Sequence, residues 1–199
     1  MTILPAQSDT IYLVDVTNLQ RAAFETQGKD GRTIKDILES ATVTKVFFDV
    51  RNDSDALYTH YDIRLQGVED VQLMENAGRD GAIWRKRFVS DLGRCIKNDT
   101  VLDGDSKHWE DVQENGKKLF APERGGSYQV FNSRPLSADI SSYCAHGLTF
   151  LPELRGKYWG KLNQEWKLRV GVETRARVAS SQSKQYNPDG QDKALGPWK

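Results

Sequence analysis

An excess of charge of either sign is the first thing missing from this sequence. Its 199 residues carry 28 lysines and arginines against 28 aspartates and glutamates, a formal net charge of zero. A chain that held nucleic acid by bulk electrostatics would show a basic excess, so phosphate binding here has to come from a local patch. Cysteine is scarce as well. Cys95 and Cys144 lie far apart and belong to no CxxC or Cys/His cluster, which leaves two buried, reduced thiols. No apolar run approaches the ~20 residues of a membrane helix. No charged-then-apolar leader precedes a small-residue cleavage site, so the expectation is an intracellular protein, cytoplasmic or nuclear. Without a secretory signal the sequon Asn98-Asp-Thr100 carries no meaning. Asp103-Gly-Asp105 begins like a calcium loop but lacks the remaining ligand positions and the closing glutamate, so it is rejected as one.

What is present reads as an ordinary soluble domain, 38% hydrophobic and 28% charged, long enough for one core with a helical appendage. Thr10 to Val16 is β-branched and apolar and predicts a buried strand. A short helix is expected around Leu19 to Phe24. Ile34, Ile37 and Leu38 fall at helical spacing behind Thr33, a good N-cap. Val43 to Phe48 predicts a second strand and Ser54 to Tyr61 a helix with Leu57 and Tyr61 on one face. Val68 to Leu73 reads as a short strand or a strand-to-helix junction. Trp84, Phe88, Leu92, Cys95 and Ile96 repeat at three and four, predicting an amphipathic helix over Ile83 to Lys97. Asp99 to Lys118, polar and punctuated by glycine, is expected to be a surface excursion with at most one short helix. Ser137 to Tyr158 predicts a helix interrupted or softened near Gly147, and Leu162 to Ser180 another. Strands alternating with helices give an α/β domain over residues 1–180. Residues 181–199 form a polar tail ending in a Leu195-Gly-Pro-Trp198 segment suited to docking on the body.

Two stretches carry chemistry. Lys45-Val-Phe-Phe48 runs into Asp49-Val-Arg-Asn-Asp53-Ser-Asp-Ala-Leu57, and Asn132-Ser-Arg-Pro-Leu-Ser137 precedes Tyr143-Cys-Ala-His-Gly147. From spacing alone Asp49, Asp53 and Asp55 read as acids favouring a helix N-terminus. Tyr143 alone reads as a half-buried helix aromatic. Together the stretches resemble the second and third motifs of RNase D-type 3′-5′ exonucleases of the DEDD class, Tyr subclass, and look closest to fungal exonuclease-like proteins. The resemblance covers most of Thr2 to Trp198. It implies a ribonuclease H-like fold with a helical C-terminal half. It also implies four carboxylates around two divalent ions: Asp and Glu of a first Asp-x-Glu strand, then one Asp from each later motif.

Asp53 matches the second-motif aspartate and Tyr143 the tyrosine that positions the attacking water. Gly147 stands where the third motif has its metal-binding aspartate. His146, beside it, is a candidate replacement ligand or base. The Asp-x-Glu strand has no counterpart, and Ile11 to Val16 matches a later strand. Because that first strand is central in the family's sheet, the resemblance implies a truncated or rearranged sheet, or an edge covered by a second copy of the chain.

Counting ligands leaves Asp53 as one residual metal-binding carboxylate, and Mg²⁺ needs several hard oxygens. The expected function is therefore a degenerate exonuclease-like protein that binds nucleic acid or a partner without two-metal cleavage. No cofactor is expected, with Mg or Mn only if nuclease activity persists. The candidate binding residues are Arg51, Asn52, Tyr58, His60, Arg124 and Arg134, with basic faces at Arg85-Lys-Arg87 and at Arg169, Arg175 and Arg177. Two alternatives are a metal-independent enzyme acting on a small molecule in the former cleft, and a residual Mg- or Mn-dependent 3′-5′ exonuclease.

Overall fold

The computed structural model describes residues 1–100 and 106–198. Four short strands and ten α-helices make up its regular structure. They are β1 (Thr2–Ile3), β2 (Tyr12–Leu13), α1 (Val16–Leu19), α2 (Ala22–Glu25), α3 (Ile34–Glu39), β3 (Lys45–Phe47), α4 (Arg51–Tyr61), β4 (Val68–Asp70) and α5 (Val71–Ala77). The second half is helical: α6 (Leu92–Asp99), α7 (Ser106–Phe120), α8 (Ala138–Thr149), α9 (Leu151–Lys161) and α10 (Gln164–Ser181), with 3-10 turns between some of them.

The strands form two separate pairs. β1 lies antiparallel to β2, with Thr2 opposite Leu13, and β3 lies parallel to β4, with Lys45 opposite Val68 and Phe47 opposite Asp70. No ladder joins the pairs among the described residues, so the sheet is split where the resemblance places a central strand. The long buried strand expected over Thr10 to Val16 shrinks to two residues. Tyr12 and Leu13 are exposed, with only the two-residue strand β1 paired beside them.

Local chemistry explains several elements. Thr33 accepts the amide of Asp36 while the Asp36 carboxylate accepts the Thr33 amide, a closed capping box at the start of α3. The helix expected over Leu19 to Phe24 is broken into α1 and α2 by Gln20, which has φ of 50°. β3 and β4 each run straight into a helix, and Asp70 caps α5 by accepting the Gln72 amide. Helix α4 starts at Arg51, earlier than the expected Ser54.

Two expectations are overturned. Ile83 to Lys97 is not one helix. A 3-10 turn covers Ile83–Lys86, the chain then extends so that the Val89 amide donates to Ala194, and α6 starts only after the Asp91 cap. Leu92, Cys95 and Ile96 keep the inward face, whereas Trp84 and Phe88 point outward, 69% and 53% exposed. Residues 106–120 of the expected surface excursion form a 15-residue helix that packs on α8. It escapes a periodicity search because little more than Trp109 and Gly116 of its buried face shows. The rejected calcium loop Asp103-Gly-Asp105 lies outside the described residues. The helix expected over Ser137 to Tyr158 is two, α8 and α9, divided at Phe150, and Gly147 lies inside α8 rather than at the break.

One apolar cluster joins α5, α6, α7, α9 and α10 through Leu73, Ile96, Trp109, Leu154, Tyr158 and Val170, and Trp198 packs into it. A second gathers Phe24, Leu38, Val50, Leu57, Ile63 and Val178 around α4. Fully burying such side chains stabilises the fold by about 1.5–3 kcal/mol each. Cys95 is buried and Cys144 half-buried, both as free thiols. Among the described residues no helix is long and apolar enough to cross a membrane.

Candidate functional site

The site is built where α4 begins and where α8 crosses β1 and β2. Asp49, with φ of 59°, turns the chain out of β3, and Asp53 follows in the first turn of α4. The Met1 ammonium, which donates to the Val14 carbonyl at 2.9 Å, acts on the charges of both Asp53 and Cys144.

Asp53 keeps an exposed surface, yet protein atoms crowd one side of its carboxyl. That crowding, followed by repulsion from the Asp49 carboxylate, pushes its pKa up to about 6. Solvent on the open side screens the effect, so its sign and pH window carry over rather than an energy. A carboxyl whose folded pKa lies above its unfolded value is disfavoured in its charged form, so it costs stability above the folded pKa and ceases to do so as pH falls. Asp53→Asn is therefore expected to raise the melting temperature at neutral pH. The gain should shrink through about pH 6 and vanish by about pH 4. A melting-temperature series from acid to neutral pH checks it, and a pH-independent gain would contradict the assignment.

The acids nearest Asp53 are already occupied. Asp49 is held bidentately by Arg51 at 2.6 and 2.7 Å and approached by Arg177 at 3.6 Å. Asp70 is fully buried. It accepts the amides of Asp49, Val50 and Gln72 and is paired with Arg177 at 2.8 Å. Among the described residues no group of three or more His, Cys, Asp or Glu side chains gathers round a common point. A two-ion clamp needs several free carboxylates on one cavity, and this donor set does not fit it.

Helix α8 places the remaining candidates. Tyr143 packs its ring 5.0 Å from that of Phe120, in a cluster with Tyr128 and Phe131, and burial pushes its hydroxyl pKa up. Gly116 of α7 makes this possible, because a Cβ there would fall 2.5 Å from the Tyr143 ring. His146 bonds the Ser142 carbonyl through Nδ1 at 2.9 Å and meets His108 of α7 edge-on, 5.4 Å between centroids. At Gly147 an added Cβ would meet a Leu92 methyl at 3.7 Å, so the position of the family's aspartate borders an apolar side chain.

The candidate binding residues divide. Arg134 grips Asp15 in a two-pronged pair that holds the Asp15 carboxyl well below the usual carboxylate range. Arg124 pairs with Glu114, away from Asp53. Tyr58 lies under the Arg64 guanidinium at 5.6 Å, and His60 is exposed beside Tyr61. Arg51 and Asn52 turn instead toward the C-terminal segment. Arg51 donates to the Lys193 carbonyl, and Asn52 accepts from the Tyr186 hydroxyl at 2.6 Å and from Lys193 Nζ at 3.0 Å. Arg51 borders a polar cavity of about 520 Å³ that Arg177, Glu173, Tyr186 and Lys193 also line. Of the two expected basic faces, Lys86 and Arg177 are buried, each 5% exposed. The cavity was missed in the sequence because its walls come from segments more than a hundred residues apart, with no motif to link them.

With this geometry in hand, likeness to known proteins takes on meaning. The sequence model of a family described as 3'-5' exonuclease matches residues 5–79. RNase D of Trypanosoma brucei in its GMP complex superposes with a TM-score of 0.72 at 21% identity, covering 98% of this chain and 55% of that one. Its complex with RNA U12 gives 0.68 at 18% identity, covering 99% and 64%. The piRNA biogenesis protein EXD1 of Bombyx mori is 27% identical over 147 residues, 72% of this chain and 39% of that protein. The chain thus spans less than two thirds of the length of each. The chain has the fold of these RNase D structures, and residues 5–79 are similar to a family of 3'-5' exonucleases.

Proposed function

We propose that this protein is a degenerate RNase D-like exonuclease that binds single-stranded RNA and does not cut it by two-metal chemistry. The observations that support the reading are Gly147, which offers no ligand and borders a leucine methyl, and Asp49 and Asp70, each occupied by an arginine. Asp53 is left as a lone free carboxylate, able to hold a hydrated ion weakly but not to clamp two. Binding of RNA is supported by the scaffold shared with an RNase D solved with RNA and with GMP. It is supported also by likeness to a protein named for piRNA biogenesis.

The expected result is retention of a 3′-labelled single-stranded RNA by the full chain in a filter or anisotropy assay, with affinity falling as salt rises. The same RNA and its DNA equivalent should remain intact in Mg²⁺ or Mn²⁺ at high protein concentration. Stepwise 3′ shortening that disappears in Asp53→Ala would overturn the degenerate reading. The best-formed cavity lies beside the cleft and is walled by charged and hydroxyl groups. It is not an apolar chamber between Asp53 and Tyr143, so nothing specific favours a small-molecule enzyme.

A further inference from the structure

The segment Ile83 to Phe88 displays what a folded chain ordinarily hides. Trp84 is 69% exposed, Phe88 53%, Ile83 46% and the neighbouring Leu195 47%. Clustered exposure of this kind marks an interaction surface. Guanidinium groups accompany both rings, Arg85 over Trp84 at 5.6 Å and Arg87 over Phe88 at 5.3 Å. Among the described residues neither arginine has a carboxylate at ion-pair distance, whereas most other arginines of the chain are paired. The surface therefore combines open aromatic faces with uncompensated positive charge.

It is also built, rather than a frayed loop. Lys86 turns inward and donates to the Ala77 carbonyl at 2.6 Å, fastening the turn to the end of α5. The Arg79 guanidinium holds the carbonyls of Arg85 and Phe88 at 2.8 and 2.7 Å. On the other side the chain pairs with the C-terminal segment, Phe88 opposite Leu195, and the Gly196 amide donates to the Arg87 carbonyl at 2.7 Å. The two rings are thus presented on a backbone fixed from both sides, which lowers the ordering cost of binding.

We infer that Trp84 and Phe88, with Arg85 and Arg87, form a stacking platform for single-stranded RNA outside the former nuclease cleft. The inference rests on the RNA-binding reading above and says where that binding is done. Unpaired bases stack on aromatic and guanidinium planes whatever their identity, while the free charge of the arginines meets the phosphates. Charge complementarity favours this occupant over a protein partner, because the two guanidinium groups beside the rings, Arg85 and Arg87, have no carboxylate at ion-pair distance among the described residues. Leu195, bridged to Phe88, also lines the polar cavity with Arg51, Lys193 and Tyr186, so the platform adjoins that cavity.

The test is anisotropy binding of a labelled 12-nucleotide oligouridylate to the full chain across a salt series. Trp84→Ala is expected to weaken binding by about tenfold with an unchanged salt slope, and Trp84→Phe to recover most of the loss. Arg85→Gln with Arg87→Gln should flatten the dependence of log K on log salt by roughly 1.4, two single-strand contacts. The exposure of Trp84 means that its replacement should not alter the melting curve, which verifies that each variant is folded. If the native chain binds the oligonucleotide and the platform variants bind as tightly, the platform is wrong and the RNA-binding reading survives. If the native chain does not bind at all, both fail, and the exposed rings belong to a protein interface.

Discussion

Arg177→Met is expected to cost about 3–5 kcal/mol, the range for removing one partner of a buried ion pair. Arg177 is 5% exposed and Asp70 fully buried, and their contact spans 107 residues. The same guanidinium donates to Gln72 Oε1 at 2.9 Å and approaches Asp49 at 3.6 Å. Without it, Asp70 would keep its three amide donors but lose its counter-charge in a low-dielectric interior. For a chain of this length the loss corresponds to a fall in melting temperature of roughly 10 °C, read by circular dichroism or calorimetry. Adding Asp70→Asn should return a large part of the stability, because the pair is then removed as a unit. A single variant that melts like the native chain would show that the ion pair does not hold α10 to the start of α4. The pair also matters for the site. It fixes the Asp49 turn, and Asp53 stands one helical turn beyond it.

Gly196→Ala is expected to release the C-terminal segment. A Cβ at this position would fall 2.0 Å from the Lys86 carbonyl oxygen and 2.9 Å from Asn76 Oδ1. The first obstacle is backbone and cannot rotate away. The hydrogen bond from Gly196 to the Arg87 carbonyl must open, and Leu195 to Trp198 must lift. Trp198 is 9% exposed and packs edge-on against Trp166 at 5.2 Å. Full release therefore approaches the cost of removing a buried tryptophan, about 3–5 kcal/mol. Early loss of amide protection at Gly196, Val89 and Arg87 in hydrogen exchange, with a lowered melting temperature, is the expected result. Gly156→Ala gives the contrast. It lies in α9 with nothing within 4 Å of its added Cβ, and alanine there should stabilise the helix by about 0.5–1 kcal/mol. If both substitutions behave alike, close packing at Gly196 is not what holds the segment down.

The two variants probe different supports of the same region. Arg177 ties α10 to the start of α4, and the Gly196 contact ties the C-terminal segment to the Trp84–Phe88 turn. The polar cavity lies between these supports, so both variants should also disturb oligonucleotide binding, in proportion to the structure they loosen.

Much of this arrangement could be read from residues close together in the chain. Thr33 and Asp36 announce their capping box, Lys45 to Phe48 announces a strand that turns into α4, and Val68 to Leu73 a strand that becomes a helix. The two motif stretches point to the exonuclease fold, and the proposed loss of a ligand rests on the glycine at position 147. Each of these rests on interactions a few residues long, whose physics the local sequence contains in full.

Other features depended on what tertiary structure brings alongside. Trp84 and Phe88 share the periodicity of Leu92, Cys95 and Ile96, and only the pairing of Val89 with Ala194 turns them outward instead of continuing a helix. Lys86 and Arg177 read as surface charge until Ala77, Asp70 and Gln72 supply the partners that let them be buried. Asp49 and Asp70 look like available carboxylates until Arg51 and Arg177 occupy them. The sequence by itself determined the fold class and pointed to Gly147 as the departure from the family's third motif. The tertiary structure decided which charges remain free, because a charge is available or spent according to neighbours that lie as far as 107 residues away along the chain.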